Sequence, residues 1–159
     1  MLNAQYSMLK KRFGYTLIEI LVVITIGVIL GTVGMVKYRD ASRRQAVDAA
    51  AEKLVSALRK AQVNAASGVK NSCGSSPLEG WQVKVNANNY VIQVKCVDST
   101  YDNRTENIEG ASVTSFPSSN PILFKVLNQG TNITETTTIT MTGYGTVKNI
   151  VVTSTGEIL

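Results

Sequence analysis

Glu19 is the only charged residue in a run of 22 residues, Tyr15 to Val36, made mostly of Leu, Ile, Val and Gly. An ionised carboxylate in hydrocarbon costs about 2.5–3.5 kcal/mol, so such a group is as a rule paired and functional. The chemistry it offers is charge pairing rather than turnover. The plain alternative is a glutamate that snorkels to the interface near the start of a helix. Elsewhere, candidates for chemistry are few. The chain has no histidine, so the commonest general base and metal ligand is missing. Its carboxylate cluster, Glu106 with Glu109, falls in a polar stretch expected to be loop. No glycine loop precedes a lysine in the manner of a phosphate cradle. Cys73 and Cys96 fit no four-ligand zinc pattern. If the region that carries them is exported, a disulfide is the natural reading, worth about 3 kcal/mol; two buried free thiols are the alternative. An enzyme is therefore a poor fit, and no metal or cofactor is implied. Asn103-Arg104-Thr105 and Asn132-Ile133-Thr134 match a glycosylation sequon, a pattern that arises by chance at this length.

These residues need elements to hold them. The run 15–36, as a helix, spans about 33 Å, enough to cross a bilayer. It is too long for a secretory signal and lacks a small-residue cleavage site at its far end. Helix formers continue without proline from Lys37 to about Ser67. Val47, Ala50, Leu54, Leu58, Ala61 and Ala65 recur at three- and four-residue spacing and form one apolar stripe. Arg44 and Asp48 stand four apart as a favourable pair, and Gly68 is the expected stop. A single helix over 15–67 would be about 80 Å long. Gly27, Gly31 and Gly34 allow either close helix packing or local unwinding.

Beyond Gly68 the composition changes. Residues 71–80 are Ser-, Gly- and Pro-rich and read as loop. Strands are expected over Trp81–Val85 and Tyr90–Val97, joined by a turn at Asn88-Asn89. The polar stretch 98–120 reads as a long loop with a short strand near Ala111–Phe116. Further strands are expected over Ile122–Leu127, Thr136–Thr142 and Thr146–Thr153, with turns at Asn128-Gln129-Gly130 and Gly143-Tyr144-Gly145, and Glu157–Leu159 ends the last strand. The helix stripe then has a destination, the inner face of an antiparallel sheet. The fold class is α+β, a sheet packed on the second half of a long helix.

The charge of +5 on 159 residues invites a nucleic-acid reading, but its location argues otherwise. Lys10, Lys11 and Arg12 precede the apolar run. Seven cations and three carboxylates lie in residues 37–69, and six cations and seven carboxylates in residues 70–159. The head is nearly neutral, which argues against nucleic acid as its partner. Lys37, Arg39, Arg43 and Arg44 follow the apolar run directly and are expected to meet lipid phosphates or acidic neighbours, or to form a solvated face. They outnumber the three cations that precede the run, so a charge-count rule does not put the head outside.

The segment Lys10-Lys11-Arg12-Phe13-Gly14-Tyr15-Thr16-Leu17-Ile18-Glu19-Ile20-Leu21-Val22-Val23 resembles the class III leader and N-terminus of type IV pilins and type II secretion pseudopilins. Tyr15 stands where phenylalanine is commonest. The resemblance implies a leader over 1–14, cut by prepilin peptidase between Gly14 and Tyr15, and N-methylation of Tyr15. It also gives Glu19 a partner, the new amine of Tyr15 in a neighbouring copy, which would neutralise both charges and fix axial register. The implied layout is a transmembrane and assembly helix over 15–36, an amphipathic half over 37–68 and a β-rich head over 69–159. That is a pilin fold, with an inner-membrane assembly platform, other subunits and the lipid bilayer as partners. The implied location is the bacterial cytoplasmic membrane, single-pass with the head outside, and then the pilus or pseudopilus. Pilins often carry a proline in the apolar run; here none occurs before Pro77.

More narrowly, Ala57–Gly68 leading to Cys73, and the final Ile150–Ile158 hairpin, resemble GspH/FimT-type minor pilins and pseudopilins. The expected function is a structural subunit of a pilus or secretion pseudopilus. A major pilin and a DNA-binding minor pilin for uptake are the alternatives. The latter is disfavoured by a C-terminus, Gly156-Glu157-Ile158-Leu159, with no cation after Lys148.

Overall fold

The computed structural model describes residues 14–70 and 73–159. It is an α+β chain with a 50-residue helix, α1 (Leu17–Ala66), followed by seven strands. They are β1 (Leu78–Val85), β2 (Asn89–Cys96), β3 (Thr100–Asn107), β4 (Ser112–Ser115), β5 (Ile122–Lys125), β6 (Thr137–Gly143) and β7 (Thr146–Val152). The chain falls into two compact units, the first ending at Arg39 and the second running Asp40–Leu159.

In the first unit the apolar stretch of α1 has the length and composition to cross a membrane, and none of that stretch is buried. Thr25 and Thr32 would be liabilities in hydrocarbon, but each hydroxyl donates to the carbonyl three residues back, Val22 at 2.8 Å and Ile29 at 2.9 Å. A Cβ added at Gly27, Gly31 or Gly34 would meet nothing within 4 Å, so this small-residue face is open.

In the second unit the stripe Val47, Ala50, Leu54, Leu58, Ala61 and Ala65 is buried throughout. Gly68 ends the helix in the left-handed region (φ 65°). Its N–H donates to Ala65 O at 3.1 Å and that of Val69 to Asn64 O at 3.0 Å, the paired bonds of a Schellman cap. The indole of Trp81 then donates to Val69 O at 2.8 Å, fixing the helix exit onto β1.

The strands form two antiparallel sheets where one was expected, in the orders β3-β2-β1-β5 and β4-β6-β7. The helix stripe and the inner faces of both sheets share one core, with Val83, Ile92 and Ile122 from the first sheet and Ile139, Met141 and Val152 from the second. Residues 100–107 are a strand, not loop; the local composition (TYDNRTEN) is polar because β3 is an edge, and its pairing to β2 decides its conformation. The strand expected to reach Leu127 stops at Lys125, because Leu127 and Asn128 turn left-handed (φ 55° and 57°).

Side-chain amides close what the ladders leave open. Asn120 Nδ2 donates to Val85 O at 2.6 Å while its Oδ1 accepts from Val85 N–H at 3.0 Å, copying a strand pair at the end of β1. Asn132 does the same for β5, accepting from Leu123 N–H at 2.8 Å and donating to Pro121 O at 3.0 Å. That amide is therefore committed to the fold, and a glycan on this sequon asparagine would remove it. Thr131 joins the two sheets, its N–H and hydroxyl both donating to Ser154 O at 3.1 and 2.9 Å.

Leu54 is fully buried where helix and sheets meet. Leu54→Ala should cost about 3 kcal/mol, measured by urea unfolding in maltoside micelles with Trp81 fluorescence. A cost under about 1 kcal/mol would mean that the stripe is not the organising contact.

Candidate functional site

The site begins where the described residues begin. Gly14 and Tyr15 are exposed and precede the helix, and α1 starts at Leu17, two residues after the expected start at Tyr15. Thr16 is the reason. Its hydroxyl accepts the backbone N–H of Glu19 at 3.3 Å, so Thr16 caps the helix and Glu19 occupies the third helical position. Thr-x-x-Glu is the capping-box spacing. A carboxylate in this first turn also meets the positive end of the helix dipole, worth about 0.3–1 kcal/mol. Glu19 thus has a local role in starting the helix that the sequence reading did not give it. The signal was present in the spacing of Thr16 and Glu19. The side chains of Tyr15 and Glu19 are both exposed and adjoin the open apolar face, so they are available to a neighbouring molecule. Lys10, Lys11, Arg12 and Phe13 lie outside the described residues.

Cys73 and Cys96 are joined in a disulfide with Cα atoms 5.7 Å apart, and both are buried. The bond ties the segment after α1 to the end of β2. Beside it Val97 N–H donates to Pro77 O at 3.1 Å and Ser76 Oγ to Asp98 Oδ2 at 3.0 Å. The segments that follow the two cysteines are thus held to each other.

The expected carboxylate cluster does not form as a loop feature. Glu106 lies on β3 and pairs with Arg104, while Glu109 lines a separate pocket with Tyr144 and Gly110. Lys53, Ser56 and Lys60 of α1 face Arg104, Glu106 and Tyr90 across a shallow cleft of about 280 Å³. Burial pushes the Tyr90 phenol above its ordinary pKa, the Glu106 carboxylate pushes it further, and Arg104 opposes both. The cleft thus brings three cations, one carboxylate and a phenol held in its neutral form to one surface. Asp48, four residues after Arg44, makes its ion pair with Lys148 of β7 at 2.9 Å. Among the described residues no group of three or more His, Cys, Asp or Glu could hold a metal ion.

Residues 9–35 match the family model described as the prokaryotic N-terminal methylation motif. The chain carries a prepilin-type processing motif. That motif implies a processed pilin-like subunit, cut by a prepilin peptidase and assembled with other pilins, and with the apolar helix it points to membrane anchoring. No curated protein matches the chain, and no solved structure does. The match covers the apolar half of α1 and stops before the head begins, so the motif speaks for processing and anchoring.

The disulfide joins residues 23 apart, and closing such a loop stabilises by about 3 kcal/mol. Reduction, or the Cys73→Ser/Cys96→Ser double variant, should lower the urea midpoint of the head by the corresponding amount. Coincident curves with and without reductant would show that the bond carries no stability.

Proposed function

We propose that this chain is a minor pilin or pseudopilin, a structural subunit of a type IV pilus or type II secretion pseudopilus. The observation that carries the reading is a processing motif joined to an uncovered apolar helix, on a chain whose head has its own separate core. An assembly subunit needs each of these. On this reading prepilin peptidase cuts between Gly14 and Tyr15 and Tyr15 is N-methylated. Residues 15–36 sit first in the cytoplasmic membrane and then in the filament core, with the head outside the cytoplasm. Export is supported by the Cys73–Cys96 disulfide, a bond that persists in oxidising compartments. The likeness to GspH/FimT-type subunits is supported by the stripe-to-Gly68 helix end and the final β7 return, in which Val151 and Leu159 exchange backbone bonds at 3.0 Å.

Glu19 and the Tyr15 amine form the assembly pair. Thr16 already holds the Glu19 backbone, so the carboxylate is presented at a fixed point of the first turn. Pairing it with the amine of the next subunit removes two charges from hydrocarbon and sets the axial step between subunits.

Mass spectrometry of the N-terminus, with and without co-expressed prepilin peptidase, tests the reading. The expected mature chain begins at N-methyl-Tyr15; intact Met1 in a competent host would sink it. Glu19→Val should leave membrane insertion unchanged and reduce incorporation into filaments. Filaments that take up Glu19→Val as readily as the parent would remove the charge pair from the mechanism.

A further inference from the structure

The β6–β7 hairpin turns through Tyr144 and Gly145, at φ 48° and 75°. Two-residue turns of this type favour Asn, Asp or Gly, because both central residues must take positive φ. A bulky ring at the first position stands against that backbone preference, and such a cost points to a role for the side chain. The ring is 60% exposed, so core packing does not account for it. The guanidinium of Arg43 lies over it, 5.4 Å from the centroid. Arg43, Arg44, Asp40 and Tyr144 line one open pocket of about 360 Å³.

We propose that this pocket, at the tip of the β6–β7 hairpin, seats the phosphate of a membrane lipid headgroup. The proposal rests on the membrane-anchored reading above. A guanidinium stacked on a ring keeps its N–H groups free at the edges, in the fork that matches two phosphate oxygens. Arg44 supplies a second cation. Asp40 holds the local charge down, which suits a single phosphate rather than an extended polyanion. Arg43 follows Val36, the end of the apolar run, by seven residues of sequence. The headgroup layer is about 5–7 Å deep on each side, and arginine side chains reach back toward it. Tyrosine is a residue of that interface, with an apolar ring and a polar tip. Residues 37–44 carry Lys37, Arg39, Arg43 and Arg44 against Asp40 alone, a charge that complements an anionic surface.

Hydroxyl-radical footprinting of the full chain, in phosphatidylglycerol nanodiscs and in phosphate-free maltoside micelles, tests this. The control is Tyr101, a ring of the head that is 43% exposed. Tyr144 should be modified about five-fold more slowly in nanodiscs, Tyr101 equally in both, and an Arg43→Gln/Arg44→Gln double variant should return Tyr144 to its micelle rate. Equal Tyr144 rates in the two settings, with the chain co-eluting with nanodiscs, overturn the proposal and leave the anchoring intact. A chain that does not co-elute overturns the anchoring reading and this one with it. Tyr144→Asn, a better turn former, should leave the melting temperature unchanged or raise it. A fall would mean that the ring is held for packing, against the proposal.

Discussion

Thirteen large apolar side chains described between Leu17 and Val36 are exposed, and covering them is a large favourable term. Each contributes about 1.5–3 kcal/mol when removed from water. Their sum is comparable to or larger than the whole stability of a domain, about 5–15 kcal/mol. Glu19 opposes burial by only about 2.5–3.5 kcal/mol. The comparison decides what Glu19 can and cannot do. It cannot keep the helix out of lipid or away from neighbouring helices. It can choose among registers that bury the apolar surface equally well, because there a few kcal/mol is the whole difference.

The same helix solves a second problem in the head. Two sheets of four and three strands share one core with a single helix stripe, Ala50 to Ala65. Ala50, Ala57, Ala61 and Ala65 let backbone come close, while Leu54 and Leu58 fill the volume between them. Gly143 is part of that fit: a Cβ there would collide with the carbonyl of Gly110, where the chain enters β4. Asn120, Asn132 and Thr131 then satisfy the strand ends that the two ladders leave open.

Much of this was legible because it is local. Helix length, the stripe, the stop at Gly68, the β1–β2 turn and the β6–β7 turn all follow from spacing within one element. What escaped was decided by partners distant in sequence. Thr100–Asn107 has the composition of a loop and becomes a strand because β2 offers it a ladder from Asn89 to Lys95. The split into two sheets follows from crossings that no periodicity records: β5 pairs with β1, and β4 with β6. The cap that Thr16 gives the helix is legible in the spacing Thr16-Leu17-Ile18-Glu19, because it too is local.

The cap contact at Glu19 and its proposed charge pair are compatible because they use different atoms. The cap uses its backbone N–H, bonded to the Thr16 hydroxyl, and leaves the carboxylate uncommitted. In the uncut chain the nitrogen of Tyr15 is an amide and carries no charge, while the helix dipole stabilises the carboxylate by about 0.3–1 kcal/mol. On the proposed reading, cleavage turns that nitrogen into a cation, and charge-assisted hydrogen bonds are roughly twice as strong as neutral ones. The cut therefore changes the energetics of Glu19 without moving it. On that reading a subunit that still carries its leader has the apolar surface for assembly but not the charge proposed to select the register.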